Sequence, residues 1–331
     1  MISDVLLKVS SELMRKDNGF IVFAGAGIPK NCGVPTWKDL LKALLELVPE
    51  EERNIEDIDP KEYPDIAQRV YDLLCEQDRE QEYHDTIKRM IKPTNTPESA
   101  EQIHIVITTN WIITTNFDDT FESAFQRKFE VAQIQKSINK QILPDFKTED
   151  LSNQESIIYL HGKANEEFII FKTSDYEKYY PTICGNPNGS TDVEEYLNYV
   201  FKYHTIVFLG FSFNDKYINN TLSHIYGKIK KSDEINLQKR GFEPRLERIR
   251  HYAFLKKVDF EDNDNLLKNF DTFHPESDEY KRASKLIHFR TLVEELMAIN
   301  IQVVPCNEYI DWVDCFHKIR EFRKEGELEY A

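Results

Sequence analysis

The side chains best suited to chemistry in this chain are a carboxamide at Asn116 and an imidazole at His161, each standing where a short apolar run gives way to polar residues. An asparagine carries both donor and acceptor, so it can hold hydroxyl groups or a water molecule in place. A histidine can take up a proton near neutral pH, which makes His161 the natural general base. Both residues also have plainer readings. Asn116 can cap a helix beginning at Phe117, and His161 can be a hydrogen-bonded interior histidine. A third feature is Ile21-Val22-Phe23-Ala24-Gly25-Ala26-Gly27, an apolar run that ends in two glycines shortly before a helix. Gly25 and Gly27 permit a tight turn close to a pyrophosphate, and a following helix N-terminus offers free N–H groups and partial positive charge. The spacing departs from the dinucleotide fingerprint Gly-x-Gly-x-x-Gly, because Lys30 takes the third glycine position. An ordinary strand-to-helix turn is the alternative.

Several strand-like runs must position these groups. Residues 20 to 24 lead into the glycines, Ile112-Ile113-Thr114 leads into Thr115-Asn116-Phe117-Asp118, and Ile157-Ile158-Tyr159-Leu160 leads into His161-Gly162. Thr205-Ile206-Val207-Phe208-Leu209 then ends in Gly210-Phe211-Ser212. In an open parallel sheet, ligands sit beyond the carboxyl ends of the strands, so four exits of this kind converge on one crevice. The expected fold is α/β, a Rossmann-like doubly wound parallel sheet with a helical insertion.

Taken in order, Gly25-Ala26-Gly27-Ile28, Gly33-Val34-Pro35-x-Trp37, Thr114-x-Asn116-Phe117-Asp118, Leu160-His161-Gly162 and Gly210-Phe211-Ser212 resemble the SIR2 (sirtuin-like) family across residues 20 to 310. The resemblance is strongest to bacterial SIR2-like NAD-cleaving proteins of anti-phage defence systems. Sirtuin deacylases carry a zinc ribbon of paired Cys-x-x-Cys, which this sequence lacks. Their Thr-Gln-Asn-Ile-Asp is here Thr114-Thr115-Asn116-Phe117-Asp118, and their Gly-Thr/Ser-Ser is Gly210-Phe211-Ser212. Pro29 stands where the family usually has a small residue.

The resemblance implies that Asn116 and His161 are essential for cleaving NAD to nicotinamide and ADP-ribose. It also implies that Ala24, Gly25, Ala26, Gly27, Pro35, Trp37, Thr115, Asp118, Gly210 and Ser212 hold the NAD, with no zinc. Asp118 would sit near nicotinamide, or serve as a first-turn acid against a helix dipole. Gly210 and Ser212 would line the adenosine half, Pro35 and Trp37 would form a lid, and Val303-Val304-Pro305 would close the adenine side. For Trp37, ordinary hydrophobic packing is the competing reading. An NADase of this type implies a defence effector that depletes NAD on phage infection. It would be restrained by homo-oligomerisation or by a partner, such as a HerA-like ATPase, an Argonaute-type module or another defence sensor. Protein deacylation and non-catalytic sensing of NAD or ADP-ribose are the alternatives.

The totals narrow the field. A net charge of −16, from 42 basic and 58 acidic residues, repels phosphate backbones and anionic lipid, so direct nucleic-acid or membrane binding is not expected. Lys239, Arg240, Arg245, Arg248 and Arg250 cluster in sequence and read as a solvated helix face or loop. Five cysteines, at 32, 75, 184, 306 and 315, fit neither a disulfide framework nor a zinc ribbon. With no membrane-length apolar run and no basic secretory start, a cytoplasmic location is expected.

The sequence reads as a single domain over 1–331, with a core of 15–50, 106–163 and 203–320, a helical insertion at 51–105, a smaller insertion at 164–202 and a flexible tail at 323–331. Residues 3 to 16 form an amphipathic helix through Val5, Leu6, Val9 and Leu13. Thr36 caps the next helix with Asp39 three residues on, and Leu40, Leu41, Leu44, Leu45 and Val48 give it an apolar stripe. Ile66, Val70, Leu73 and Leu74 repeat at helical spacing within the insertion. Residues 166 to 171 look like a strand, and Thr173 opens a helix running toward Tyr180 and Pro181. Residues 182 to 191 mark a loop, 251 to 255 and 301 to 304 are further strands, and 256 to 282 is acidic and exposed.

Overall fold

The computed structural model describes residues 8–9, 11–13, 20–53, 59–91, 100, 111–131, 139–142, 156–164, 166, 168–186, 189, 191–240, 251–258, 263–307, 312–313 and 315–317. The seven strands found among them are β1 (Phe20–Ala24), β2 (Trp111–Thr114), β3 (Asn139–Ile142), β4 (Ser156–Tyr159), β5 (Thr205–Leu209), β6 (His251–Lys256) and β7 (Ile301–Cys306). They form one sheet in the order β3-β4-β2-β1-β5-β6-β7, and every pairing is parallel.

The composition of the strands explains why the sheet is covered on both sides. β1 is Phe-Ile-Val-Phe-Ala with all five residues buried, and β5 is Thr-Ile-Val-Phe-Leu, likewise buried throughout. A strand without a polar face must be packed on both faces, the usual condition of a parallel sheet. Alternate side chains then enter different cores: Ile21, Phe23 and Ile113 join one, while Phe20, Val22 and Ile112 join the other. This is a doubly wound, Rossmann-like arrangement.

The α-helices with both ends among the described residues are α1 (Trp37–Leu45), α2 (Tyr63–Cys75), α3 (Glu80–Met90), α4 (Thr120–Val131), α5 (Thr173–Tyr179), α6 (Asp192–Tyr203), α7 (Lys216–Arg240), α8 (Asn263–Lys268) and α9 (Asp278–Ala298). Thr36 and Asp39 form the expected reciprocal cap on α1, whose Leu40, Leu41, Leu44 and Leu45 are buried. These leucines pack with Ile66, Val70 and Leu74 of α2 and Tyr83 and Ile87 of α3 into a third core. That helical layer stands over the carboxyl ends of the strands, because Phe117 and Phe171 belong to the same core.

Three expectations are corrected or extended. Among the described residues, 166 and 168 to 171 do not add a strand to the sheet: Ile169 makes an isolated antiparallel bridge to Gly162, while Ile170 N–H donates to the His161 carbonyl. The sheet gains instead β3, an edge strand of sequence Asn-Lys-Gln-Ile, whose polarity carries no strand signature. Residues 8–9 and 11–13 are helical with Val9 and Leu13 fully buried, whereas 3–7, 14–16, the tail 323–331 and the basic positions 245, 248 and 250 lie outside the described residues.

Candidate active site

β1 pairs with β2 on one side and β5 on the other, with Ala24 in register with both Thr114 and Leu209. The chain therefore winds away from β1 in opposite directions, and a crevice opens at the carboxyl ends of β1 and β5. A cavity of about 780 Å³ occupies that position. Ala26, Gly27, Pro35, Trp37, Thr115, Asn116, Asp118, His161, Gly210 and Ser212 all line it. Ala24 and Gly25 do not; they lie behind the lining, with Ala24 sealed in the sheet.

The glycine loop is built against β5. Gly25 N–H donates to the Leu209 carbonyl at 2.9 Å and Gly27 N–H to the Gly210 carbonyl at 2.9 Å. A Cβ at Gly25 would stand 2.5 Å from the Gly210 oxygen, and one at Gly27 would stand 2.8 Å from the Gly210 Cα. Gly210 has a φ of +60°, so it too resists a side chain. The helix expected soon after the glycines is α1, capped by Thr36, and it does not follow the glycines directly. A 3-10 turn of four residues, Pro29–Cys32, follows instead, and Pro29 brings no N–H. Ile28 and Lys30 N–H groups are spent on the Gly25 and Ala26 carbonyls. The glycines here serve the approach of two backbones to each other.

Asn116 sits just beyond β2 and is buried at 7% exposure. Its Nδ2 donates to the Gly25 carbonyl at 3.1 Å, and its backbone N–H donates to Thr114 Oγ1 at 3.0 Å. Thr114 Oγ1 in turn donates to the Ala24 carbonyl at 2.9 Å. The side chain is thus tied to the glycine loop, and Oδ1 is the atom left for a ligand. Asn116 does not cap α4, which begins only at Thr120. Asp118 does that job, accepting Thr120 N–H at 2.9 Å through Oδ1. Its Oδ2 is buried without a hydrogen-bond partner, and burial raises the carboxyl pKa above its ordinary value.

His161 follows β4 and is buried at 3% exposure. Its Nε2 lies 2.8 Å from the Tyr180 hydroxyl oxygen, and the Tyr176 and Tyr180 rings stand nearly perpendicular to it with centroids 5.5 Å and 5.9 Å away. Burial pushes its pKa down to about 4, a shift that the nearby Asp215 opposes. His161 is therefore neutral across the physiological range, rather than poised near pH 7.

The two loops are locked together. Leu160 N–H donates to the Thr114 carbonyl at 2.8 Å, and Ala164 N–H donates to the Phe117 carbonyl at 3.1 Å. Behind them Lys163 Nζ is 2.6 Å from Glu122 Oε1 in the first turn of α4, and the Tyr159 hydroxyl donates to the same oxygen at 2.9 Å. Both members of the ion pair are buried. This pairing fixes the relative placement of the Asn116 and His161 segments.

Several lining residues carry no strong sequence signal. Tyr176 and Asp215 face the cavity; the Tyr176 hydroxyl donates to Asp215 Oδ2 at 2.9 Å, and Asp215 Oδ1 caps α7 through Tyr217 and Ile218 N–H groups. An aspartate just before a long helical stretch is a capping signature that marks Asp215 in retrospect. The far wall is made by Phe254, Leu255 and Lys256 at the carboxyl end of β6, by Val258 just beyond it, and by Ser284, Lys285, His288, Phe289 and Leu292 of α9. Val303-Val304-Pro305 does not close this end: β7 is the edge strand of the sheet, and its residues are outside the lining. Trp37 both lines the cavity and packs edge-on against Tyr63 and Phe171, at 5.7 Å and 5.4 Å.

A parallel Rossmann-like sheet with a cavity of this size at its switch point defines a doubly wound α/β protein whose ligand crevice lies beyond the carboxyl ends of its strands. Residues 110–272 match the family model described as the SIR2-like domain. The chain is 24% identical over 326 residues to the "NAD(+) hydrolase ThsA" of Enterococcus faecium, covering 96% of this chain and 58% of that protein. It is 27% identical over 254 residues to the "NAD(+) hydrolase ThsA" of Acinetobacter baumannii (strain 532279), covering 76% of this chain and 45% of that protein. The chain spans about half the length of these curated relatives.

Proposed function

We propose that the chain cleaves the nicotinamide–ribose bond of NAD with water, giving nicotinamide and ADP-ribose. The observation that carries this reading is that Asn116 and His161, arriving from two different strands, line one cavity beside the glycine loop. The names of the relatives support the same activity.

The reaction releases neutral nicotinamide from a pyridinium and leaves positive charge on the ribose. Fixed groups oriented toward that charge lower its cost. Asn116 Oδ1, steadied by the Nδ2 bond to Gly25, is the acceptor that orients a ribose hydroxyl or the attacking water. The carboxylates of Asp118 and Asp215 face the same cavity and favour a developing cation. A water that adds to so electrophilic a carbon becomes acidic as its bond forms, so a weak base suffices. A neutral His161 with a pKa of about 4 meets that need.

In this reading Ala26, Gly27, Thr115, Gly210 and Ser212 border the dinucleotide, while Pro35 and Trp37 cover nicotinamide; Ala24 and Gly25 act by shaping the loop. NAD is the substrate, and the chemistry of these donors requires no zinc. A defence role, cytoplasmic location, self-assembly and control by a partner such as a HerA-like ATPase or another sensor complete the proposal.

The test is to incubate the full chain with NAD, alone and with its genomic neighbours, and to separate the products by chromatography. Nicotinamide and ADP-ribose are expected from the parent, and neither from Asn116→Ala or His161→Ala. NAD left intact under every condition, or variants as active as the parent, overturns the reading.

A further inference from the structure

The imidazole of His161 is held from behind. Its Nε2 is 2.8 Å from the hydroxyl oxygen of Tyr180, a fully buried residue just past the end of α5 that does not line the cavity. With Nε2 engaged on that side, Nδ1 is the ring nitrogen left to face the cavity. We propose that Tyr180 is the positioning residue for His161, its hydroxyl oxygen receiving Nε2–H so that Nδ1 is the nitrogen that takes a proton.

The surroundings favour this polarity. Burial holds the Tyr180 phenol far above its ordinary pKa, so it stays a hydroxyl and its oxygen keeps lone pairs for the imidazole. The groups facing His161 are Tyr176, Tyr180 and the carboxylate of Asp215, which takes the Tyr176 hydroxyl and two N–H groups of α7. Tyr176 is itself fixed by stacking on Tyr217 at 4.1 Å. An imidazolium formed in this setting would donate Nε2–H to Tyr180 and would feel the charge of Asp215. Were the hydrogen bond reversed, with Tyr180 O–H donating to Nε2, the proton on Nδ1 would block its use as a base.

The inference rests on the reading of His161 as base, and it gives that step its atoms. A water O–H bond breaks and its proton goes to Nδ1. The water oxygen forms a bond to the anomeric carbon, and nicotinamide leaves with the electron pair of the broken C–N bond. The imidazolium then returns its proton to solvent.

The experiment uses the full chain with 15N-labelled histidine. The His161 signals are identified by their loss in His161→Gln, and the tautomer is read by nitrogen–proton correlation. The Nε2–H tautomer is expected, and an Nδ1–H tautomer overturns the proposal whether or not NAD is cleaved. In Tyr180→Phe, which keeps the ring, kcat for NAD should fall about tenfold to a hundredfold with KM changed by less than about twofold. The His161 titration should move to lower pH, because the imidazolium loses an acceptor. A Tyr180→Phe protein of parental melting temperature with unchanged kcat and an unchanged His161 titration overturns the proposal. If the parent shows the expected tautomer and Tyr180→Phe moves the His161 titration to lower pH, yet the parent leaves NAD intact, the proposed function fails while this assignment stands.

Discussion

The carboxamide Nδ2 of Asn116 donates to the backbone carbonyl of Gly25 at 3.1 Å, joining residues 91 positions apart in sequence. A carboxylate at this position has no N–H to donate and would place negative charge against that carbonyl. Asn116→Asp should therefore lower kcat for NAD at least about a hundredfold, the usual scale for losing one fixed polar group at a reacting centre. Steady-state kinetics alongside a thermal melt checks this, and parental turnover by the variant would count against the role given to Asn116.

The glycine loop should be intolerant of a single methyl group. Gly25→Ala forces a Cβ to 2.5 Å from a backbone oxygen that cannot swing away, so a loss of about 1–3 kcal/mol or more is expected. Gly227 in α7 is the contrast, since a Cβ there meets nothing within 4 Å. Gly227→Ala should stabilise the protein by about 1 kcal/mol through helix propensity. Urea unfolding of both variants tests the pair, and equal effects would contradict the account.

Lys163 and Glu122 should behave as one buried unit. Removing a single partner leaves an uncompensated charge and should cost about 3–5 kcal/mol. The double variant Lys163→Met with Glu122→Gln should recover part of that loss. A thermodynamic cycle by denaturant unfolding reports the coupling, and additive losses would mean the ion pair is not the tie between the two loops.

The depressed pKa of His161 links stability to pH. The unfolded imidazole titrates near its ordinary value of 6.5 and the folded one at about 4, so the unfolded state binds more protons in between. The stability associated with His161 is fully present above about pH 6.5 and is lost as pH falls toward 4, by up to about 3 kcal/mol. His161→Gln should flatten this part of the curve relative to the parent. Unfolding free energies measured from pH 4.5 to 7.5 decide it, and parallel curves would rule the linkage out.

The sequence by itself determined the strands and their polar exits. A run such as Phe-Ile-Val-Phe-Ala has no polar face, so it must be buried on both sides, and the first polar residue after it must stand beyond the carboxyl end of the strand. That local rule placed Asn116, His161 and Gly210 at the same end. It did not reveal β3, because an edge strand of polar residues pairs through its backbone and leaves no hydrophobic pattern. It could not show what the glycines do, since their N–H groups are claimed by carbonyls of β5 and its exit, nearly two hundred residues downstream. Nor could it show that His161 is neutral at pH 7: that follows from the rings of Tyr176 and Tyr180 closing over it. Secondary structure and strand ends follow from hydrophobic periodicity within a dozen residues. Hydrogen-bond partners, burial and the electrostatics of the site depend on which distant segments the fold brings together, and only the tertiary structure decides that.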